Sequence, residues 1–297
     1  MPLNLPINDF DTGAAPGRLY VVGTPIGNRG DITLRALETL KNVDLVAAED
    51  TRHTARLLVH YGIKTPLISY HDFNEKERSL QLLAKLRRGV SVALVSNAGT
   101  PSVSDPGYAL ITAAIAADIP VVPIPGPSAV ITALSAAGLP TDAFVFVGFS
   151  SKKKGKRLQE LKMLCEDERT VIFYESPRQL PVFLEELQMV FGDRTAVLCR
   201  ELTKIHEEFM RGRLSEIHAA LKQRASIKGE CTLLVAGRKG EIGSVSALFQ
   251  EDLRQKLKSG RSRLSDVVRE LALKYNVSKN EIYKEALKIK GNNHGQT

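Results

Sequence analysis

The chain has 297 residues, 43% of them hydrophobic and 25% charged, and it carries a net charge of +8. These values are typical of globular proteins and exclude collagen-like, low-complexity and largely disordered chains, while the length favours about two domains. The three cysteines, Cys165, Cys199 and Cys231, lie far apart and form no CxxC pair. Neither a disulfide framework nor a cysteine zinc site is therefore expected, and a reducing cytoplasm fits this usage best.

The N-terminal segment and the apolar stretches indicate where in the cell the protein is located. Residues 1–16 are polar and lack the basic and apolar regions of a signal peptide, so we expect a flexible tail. The longest apolar stretch, at 108–117, is too short to cross a bilayer. The sequence predicts a soluble, cytoplasmic protein without a membrane partner.

Short apolar runs alternate with helical patterns along most of the chain. The runs predict strands at 18–22, 43–48, 66–69, 92–96, 121–124, 144–149, 170–175, 195–201 and 231–237. Helical patterns lie at 33–42, 51–62, 74–89, 107–117, 157–167 and 178–192. Valine-rich strands without polar alternation, separated by helices, are typical of α/β units whose sheets are covered on both faces. We predict two α/β/α domains, at 17–140 and 141–243.

The C-terminal segment, 244–297, has a different pattern and predicts a small helical domain. Two amphipathic helices are expected within 262–289. Their apolar residues are Val267, Val268, Leu271 and Leu273 on the first helix and Ile282, Leu287 and Ile289 on the second. Ser278 and Glu281 have the spacing of a capping box. This pattern fits a helix-turn-helix-like domain, or equally a hairpin that only packs on the rest of the protein.

The positive charge is concentrated in two segments. Residues 151–165 hold six basic residues against one acidic residue, and residues 251–290 hold eleven against six. Such segregation suggests a polyanionic partner, although a solvated linker and a solvated helix face would look the same. Because 151–165 contains no aromatic residue, we expect contacts with phosphates there. The candidate residues are Lys152, Lys153, Lys154, Lys156 and Arg157.

The loops that follow the first two predicted strands contain the first candidate site residues. Glycines at Gly23, Gly27 and Gly30 allow close backbone approach to a ligand, but their spacing fits neither GxGxxG nor a Walker loop. Asp31 or Thr33 would cap the next helix. After the second strand, Glu49 and Asp50 precede a helix that opens with Arg52 and His53. Carboxylates there cap a helix, whereas basic groups oppose its dipole and suggest an anionic ligand.

The loop at 96–107, after the fourth predicted strand, is the most informative. Two X-Pro bonds and two glycines fix its path and expose its backbone. Asp105 is a candidate N-cap for the next helix, which leaves Gly99, Thr100 and Pro101 free to wrap a small ligand. The fifth strand leads to a similar loop with Ser128 at the start of a helix.

In the second half, charged residues follow two predicted strands. Glu175 ends one strand, and Glu201 and Lys204 follow another. Residues 206–210 resemble the zinc motif HExxH, but Met210 replaces the second histidine. We therefore predict no metal site.

Taken in order, these loops closely resemble the bacterial small-subunit rRNA methyltransferase I family, within the tetrapyrrole-methylase-like superfamily. The motifs are LYVVGTPIGNRGDITLRALETL, AAEDTRHTARLL, LVSNAGTPSVSDPG, PIPGPSAV, FYESPRQL and RELTKIHEEFMRG. The resemblance covers about residues 17–237, and the C-terminal segment resembles the family's helix-turn-helix-like domain. It implies two α/β/α domains of tetrapyrrole-methylase type, and a homodimer.

The resemblance also implies a cofactor, a substrate and a set of binding residues. The methyl donor would be S-adenosylmethionine, held in a cleft between the two domains, and the acceptor a cytidine ribose 2′-hydroxyl in the decoding region of 16S rRNA on the small subunit. By motif, the cofactor-binding residues would be Pro25, Ala98, Gly99, Thr100, Val103, Ser128, Ala129, Tyr174, Leu202 and Glu230. Thr100 replaces the aspartate usual in tetrapyrrole methylases, which removes a carboxylate beside the donor.

Methyl transfer to a hydroxyl needs alignment of the reacting atoms and a base for the proton. The candidates are Glu175, Glu201 and Lys204, with Asp50 facing them from the first domain. Lys204 could instead stabilise the developing alkoxide, and an inter-domain ion-pair cluster would explain the same residues without catalysis. Two rival functions stay open. One is a methylase with a small acceptor such as a porphyrinoid, and the other is a non-enzymatic nucleic-acid-binding protein.

Overall fold

The structure is a computed structural model that describes residues 17–238, 251–257, 264–275, 282–283, 285–287 and 289. The chain divides into two compact units, Met1–Gly237 and Arg238–Thr297. The predicted N-terminal tail, the limit at 243, and Ser278 and Glu281 all lie outside the described residues.

The first half of the larger unit contains a parallel five-stranded sheet. Its strands are β1 (Leu19–Val22), β2 (Leu45–Ala48), β3 (Leu67–Ser69), β4 (Val92–Val95) and β5 (Val121–Ile124), in the order β3-β2-β4-β1-β5. Its helices are α1 (Leu34–Asn42), α2 (Thr51–His60), α3 (Glu75–Arg87), α4 (Tyr108–Ala116) and α5 (Ala129–Ala137). Strand β4 is buried along its whole length because helices cover both faces of the sheet.

The second half contains a mixed sheet. Its strands are β6 (Phe144–Phe149), β7 (Thr170–Glu175), β8 (Thr195–Arg200), β9 (Glu208–Arg213) and β10 (Cys231–Val235), in the order β6-β7-β10-β8-β9. Its helices are α6 (Lys154–Leu164), α7 (Leu180–Phe191) and α8 (Leu214–Lys222). Only β6 and β7 pair in parallel, and the other three pairings are antiparallel.

Successive residues of the second sheet face two different apolar layers. On β7, Val171 and Phe173 face the core with α6, α7 and α8, whereas Ile172 faces the opposite layer. That opposite layer contains Val130 and Leu134 of α5, a helix that follows the first sheet in sequence. Helix α5 therefore joins the two halves through a shared apolar core.

The C-terminal unit has its own small core. Residues 251–257 are helical, and α9 spans Leu264–Tyr275. Val267, Val268 and Leu271 are buried there as predicted, together with Ile282. The prediction for Leu287 is wrong, since its side chain is 52% exposed, and the side chain of Leu273 lies outside the described part. Among the described residues, no helix has the length and apolar character needed to cross a membrane.

Candidate functional site

Three loops meet at the carboxyl edge of the first sheet. Thr24, after β1, forms an isolated antiparallel bridge with Gly99, after β4, through N–H···O bonds of 2.8 and 3.0 Å. The loop after β5 is equally close, because a Cβ placed on Gly23 would lie 2.8 Å from the Cα of Gly126. The loops therefore touch backbone to backbone, which explains the glycines at Gly23 and Gly126.

The same edge meets the second half of the unit at two points. A Cβ on Gly27 would lie 2.5 Å from Cγ of Lys204, in the loop after β8. A Cβ on Gly148 of β6 would lie 2.8 Å from Oγ of Ser104, in the loop after β4. A cleft is thus enclosed between loops of both halves, in the position at which open α/β sheets bind ligands.

The first cavity in this cleft has a volume of about 390 Å³. Nine of the predicted site residues line it: Ala98, Gly99, Thr100, Val103, Ser128, Ala129, Tyr174, Glu175 and Glu230. The sequence reasoning missed Ile26, Ser104, Asp105, Phe149, Ser176, Pro177 and Thr232, which also line the cavity. Five of these, Ile26, Ser104, Asp105, Ser176 and Pro177, lie inside the quoted motifs, whereas Phe149 and Thr232 lie outside them.

Two of the predicted cofactor residues lie elsewhere. Leu202 is 7% exposed and packs in the apolar layer beneath the cavity, beside Ile26. It therefore supports the cavity rather than lining it. Pro25 lines a second, adjacent cavity.

The loop after β4 presents its backbone to the first cavity in an uncommon conformation. Gly99, Ser102 and Ser104 have φ values of +78°, +68° and +64°. Left-handed backbone at two serines is held in place by the surrounding packing and is common at ligand-binding loops. Ser128 belongs to the same wall, and its hydroxyl makes no capping bond to α5.

Asp105 is a cavity residue and does not cap α4, contrary to the prediction. The carboxylate of Glu75, on α3, accepts from the backbone N–H groups of Gly107 and Ala109 at 3.0 and 3.3 Å and takes that role. Burial, with the nearby negative charge of Glu49, raises the pKa of Asp105 to about 6. A carboxyl group therefore lies at the cavity wall, although Thr100 stands at the position where an aspartate was expected from the wider resemblance to tetrapyrrole methylases.

Aromatic rings form another part of the wall. Tyr174 meets Phe146 and Phe149 with ring centroids 5.0 and 5.5 Å apart. Burial, followed by the charge of Asp105, raises the pKa of Tyr174 to about 12, so its hydroxyl is neutral in the physiological range. This surface suits an apolar or aromatic ligand group.

Glu175 ends β7 and is 5% exposed. Its carboxylate accepts from Ser150 Oγ at 2.5 Å and from the Ser176 N–H at 3.0 Å. Burial raises the pKa of Glu175, against the opposing effect of these two hydrogen bonds. Glu175 is therefore a stronger base than an exposed glutamate, and it lies at the cavity wall.

Lys204 lies between two carboxylates. Its Nζ donates to Glu201 at 2.7 Å and to Glu230 at 3.2 Å. Burial lowers the pKa of Lys204, but these partners outweigh it and raise the pKa above its usual value. Burial raises the pKa of Glu201, but the hydrogen bonds from Lys204 and from the Glu230 N–H lower it by more. The pKa of Glu201 therefore lies below its usual value. Lys204 therefore forms a local ion-pair cluster with Glu201 and Glu230, in which the lysine is charged. Glu175 and Asp50 are not part of it, so it is not the inter-domain cluster considered from the sequence.

The second cavity, of about 330 Å³, adjoins the first and shares Ile26, Ala98 and Glu230 with it. It is lined in addition by Pro25, Gly27, Arg29, His53, Arg56, Leu57, Asn97 and Lys204. His53 was expected to meet an anion, and it lies here beside two arginines that the sequence reasoning missed. Arg52 is exposed and is not among the lining residues.

Asp50 has a local structural role. Its carboxylate accepts from the N–H groups of Arg52 and His53 at 2.8 and 3.3 Å and caps α2. These bonds lower the pKa of Asp50. The carboxylate lines neither of the two cavities, so the structure gives Asp50 the role of a helix cap, and its catalytic role stays a prediction. Thr33 caps α1 in the same way, as predicted.

The basic segment after β6 is exposed except for one residue. Lys152, Lys153, Lys154 and Lys156 all lie on the surface. Arg157 is 5% exposed and forms two hydrogen bonds, of 2.6 and 2.8 Å, with the carboxylate of Glu186. Its prediction as an RNA contact is therefore wrong, because a buried, paired guanidinium cannot reach a phosphate.

Among the described residues, no group of three or more histidine, cysteine, aspartate or glutamate side chains is placed to hold a metal ion. The described cysteines are all free thiols.

Comparison with known proteins fits this architecture. The family model for tetrapyrrole (corrin/porphyrin) methylases matches residues 18–218. Among solved structures, the uroporphyrin-III-C-methyltransferase of Thermus thermophilus aligns with a TM-score of 0.54 and 23% identity, over 74% of this chain and 94% of that one. The methyltransferase CobJ aligns with a TM-score of 0.57 and 21% identity, over 75% and 97%. The chain thus has the fold of the tetrapyrrole-methylase family.

Curated relatives are much closer in sequence. The ribosomal RNA small subunit methyltransferase I of Synechocystis is 48% identical over 92% of this chain and 98% of its own length. The protein of the same name from Escherichia coli O157:H7 is 45% identical over 93% and 96%. The chain belongs to this ribosomal RNA small subunit methyltransferase I family.

Proposed function

We propose that this protein transfers a methyl group from S-adenosylmethionine to the 2′-hydroxyl of a cytidine in the decoding region of 16S rRNA, on the small ribosomal subunit. The observation that carries the proposal is the pair of adjoining cavities, one suited to a small amphipathic donor and one lined by basic groups. The names of the close relatives support the ribosomal substrate. A homodimer in the cytoplasm and RNA contacts by the C-terminal unit belong to the same proposal.

The residues of the first cavity fit the donor. Its volume of about 390 Å³ lies in the usual range for small-ligand sites. The backbone around Gly99 and the rings of Tyr174 and Phe149 offer hydrogen-bonding groups and an apolar surface. Asp105 and Glu175 place carboxyl groups beside a ligand that carries a positive charge. One solved neighbour of the same fold was crystallised with S-adenyl homocysteine. When bound, the donor supplies an electrophilic methyl group.

The two charged candidates divide the remaining chemistry between them. Lys204 stays protonated because its carboxylate partners raise its pKa, so it cannot act as the base. We assign it the stabilisation of the negative charge that develops on the acceptor oxygen. Glu175 has the raised pKa and lines the first cavity, and we assign it acceptance of the hydroxyl proton, an effect of roughly 10²–10⁴-fold. Glu201 acts through Lys204 by holding its ammonium group in place.

The test uses the purified protein with radiolabelled donor and three acceptors: small-subunit particles lacking the methyl group, bare 16S rRNA, and a porphyrinoid. We expect label on one cytidine of the particles, at a linkage that resists alkaline hydrolysis. Lys204→Ala should lower turnover by about 10²-fold or more and leave donor binding unchanged, whereas Lys85→Ala, an exposed control on α3, should match the wild type. Label on the porphyrinoid alone, or no donor binding by calorimetry, would show that the proposed function is wrong.

A further inference from the structure

The second cavity contains two arginines without a carboxylate partner. Arg29 and Arg56 form no ion pair with any described acidic residue, whereas Lys204, in the same wall, pairs with Glu201 and Glu230. Uncompensated guanidinium groups that converge on one cavity are typical of phosphate-binding sites, because their planar donors match phosphate oxygens.

Arg29 makes two contacts with the C-terminal end of α2. Its guanidinium contacts His60 Nδ1 at 3.3 Å, and its backbone carbonyl accepts from the Tyr61 hydroxyl at 2.7 Å. Both partners belong to the C-terminal end of α2, the helix that also carries Arg56 and His53. One short helix therefore carries two of the basic groups and contacts the third, which brings them to the same side of the cavity.

A further polar atom points to a ligand at the same place. Oδ1 of Asn97 is enclosed, yet it has no hydrogen-bond partner among the described residues. Asn97 lines the second cavity, and its neighbour Ala98 lines both cavities. A buried acceptor without a partner costs free energy that a donor group of a bound nucleotide would remove.

We propose that Arg29 and Arg56 bind the RNA phosphate next to the acceptor ribose and so place its 2′-hydroxyl at the wall shared by the two cavities. This inference rests on the proposed function and specifies its substrate contact. The adjacent nucleotide must leave its base stack to enter a cavity of about 330 Å³, so the substrate is an unpaired RNA segment.

The test compares Arg29→Ala, Arg56→Ala and their lysine counterparts with Arg87→Ala. Arg87 is an exposed residue at the end of α3, just before β4 and so at the opposite edge of the sheet, and its replacement changes the net charge equally. The association constant for small-subunit particles is measured at several salt concentrations, and donor affinity is measured by calorimetry. Thermal unfolding checks that each variant is folded.

Each alanine variant at position 29 or 56 should bind the particles about tenfold more weakly, with a salt slope smaller by about 0.7 for each lost phosphate contact. The lysine variants should keep most of the slope because they keep the charge. Donor affinity should equal that of the wild type. If the slopes of both alanine variants equal that of Arg87→Ala, or if only donor affinity falls, the phosphate contact is wrong. A wild-type protein that methylates no RNA would instead overturn the proposed function itself.

Discussion

At the scale of single residues, Asp105 shows how one capping choice changes the chemistry of a cavity. Glu75 of α3 already satisfies the N-terminal N–H groups of α4, so Asp105 is left to line the first cavity as a half-buried carboxyl group. Two other acids, Glu49 and Asp72, add their charge to the effect of burial. The folded protein therefore holds a proton on Asp105 up to a pH of about 6.

This proton makes stability depend on pH. The pKa of Asp105 rises from 3.8 to about 6 on folding, so between these values the folded state binds more protons than the unfolded state. Stability from this group falls as pH rises through that window. Asp105→Asn should be more stable than the wild type at pH 7.5, and the difference should shrink at pH 4. Urea unfolding at both values measures this, with the exposed Asp142→Asn as control. A constant difference would contradict the shift.

The sequence motifs identified half of the residues that line the first cavity, eight of them carried over from the family resemblance, together with Glu175. They did not separate a catalytic carboxylate from a capping one. Asp50 follows β2 and Glu175 ends β7, so both stand at the end of a buried strand. Only the structure shows that the carboxylate of Asp50 accepts hydrogen bonds from the first N–H groups of α2. Arg157 was equally ambiguous, because its partner Glu186 lies on another helix far along the chain.

At the scale of elements, the valine-rich strands could be predicted because their apolar runs are uninterrupted, and most helices because their apolar residues recur at helical spacing. Strand β9 was missed: it is an edge strand of sequence EFMRGR, without an apolar run, and it pairs only with β8. Helix α8 was also missed between the charged segments around it. The antiparallel pairings of the second sheet had no local signal, since strand direction depends on how the connections cross the sheet.

The loops at the carboxyl edge of the first sheet allow a paired test. A Cβ on Gly23 would lie 2.8 Å from the backbone of Gly126, which cannot move cheaply, whereas a Cβ on Gly155 of α6 meets nothing within 4 Å. Gly23→Ala should therefore reduce the free energy of unfolding by about 1–3 kcal/mol. Gly155→Ala should increase it by up to about 1 kcal/mol, because alanine favours the helix. Urea denaturation measures both, and equal effects of the two substitutions would contradict the close approach of the loops.

At the scale of the whole molecule, the exposed lysines of 152–154 follow β6, whose last residue, Phe149, lines the first cavity. If several phosphates are bound at once, affinity for small-subunit particles should fall by about 10³-fold between 50 and 200 mM salt. Replacing these three lysines with glutamine should reduce that salt dependence. Replacing Lys41, Lys76 and Lys85 on α1 and α3 removes the same charge and serves as the control. A flat salt response in filter binding would contradict an electrostatic RNA surface.

Helix α5 makes the two halves of the main unit inseparable. A fragment that ends near residue 140 would leave Val130, Leu134 and their neighbours on α5 facing water, and the complementary fragment would expose Ile172 and Leu234. Each fragment would expose an apolar surface and would aggregate when expressed alone. Expression as two separate fragments and hinge opening at this junction are therefore disfavoured. Substrates enter a cleft whose shape is set before they bind.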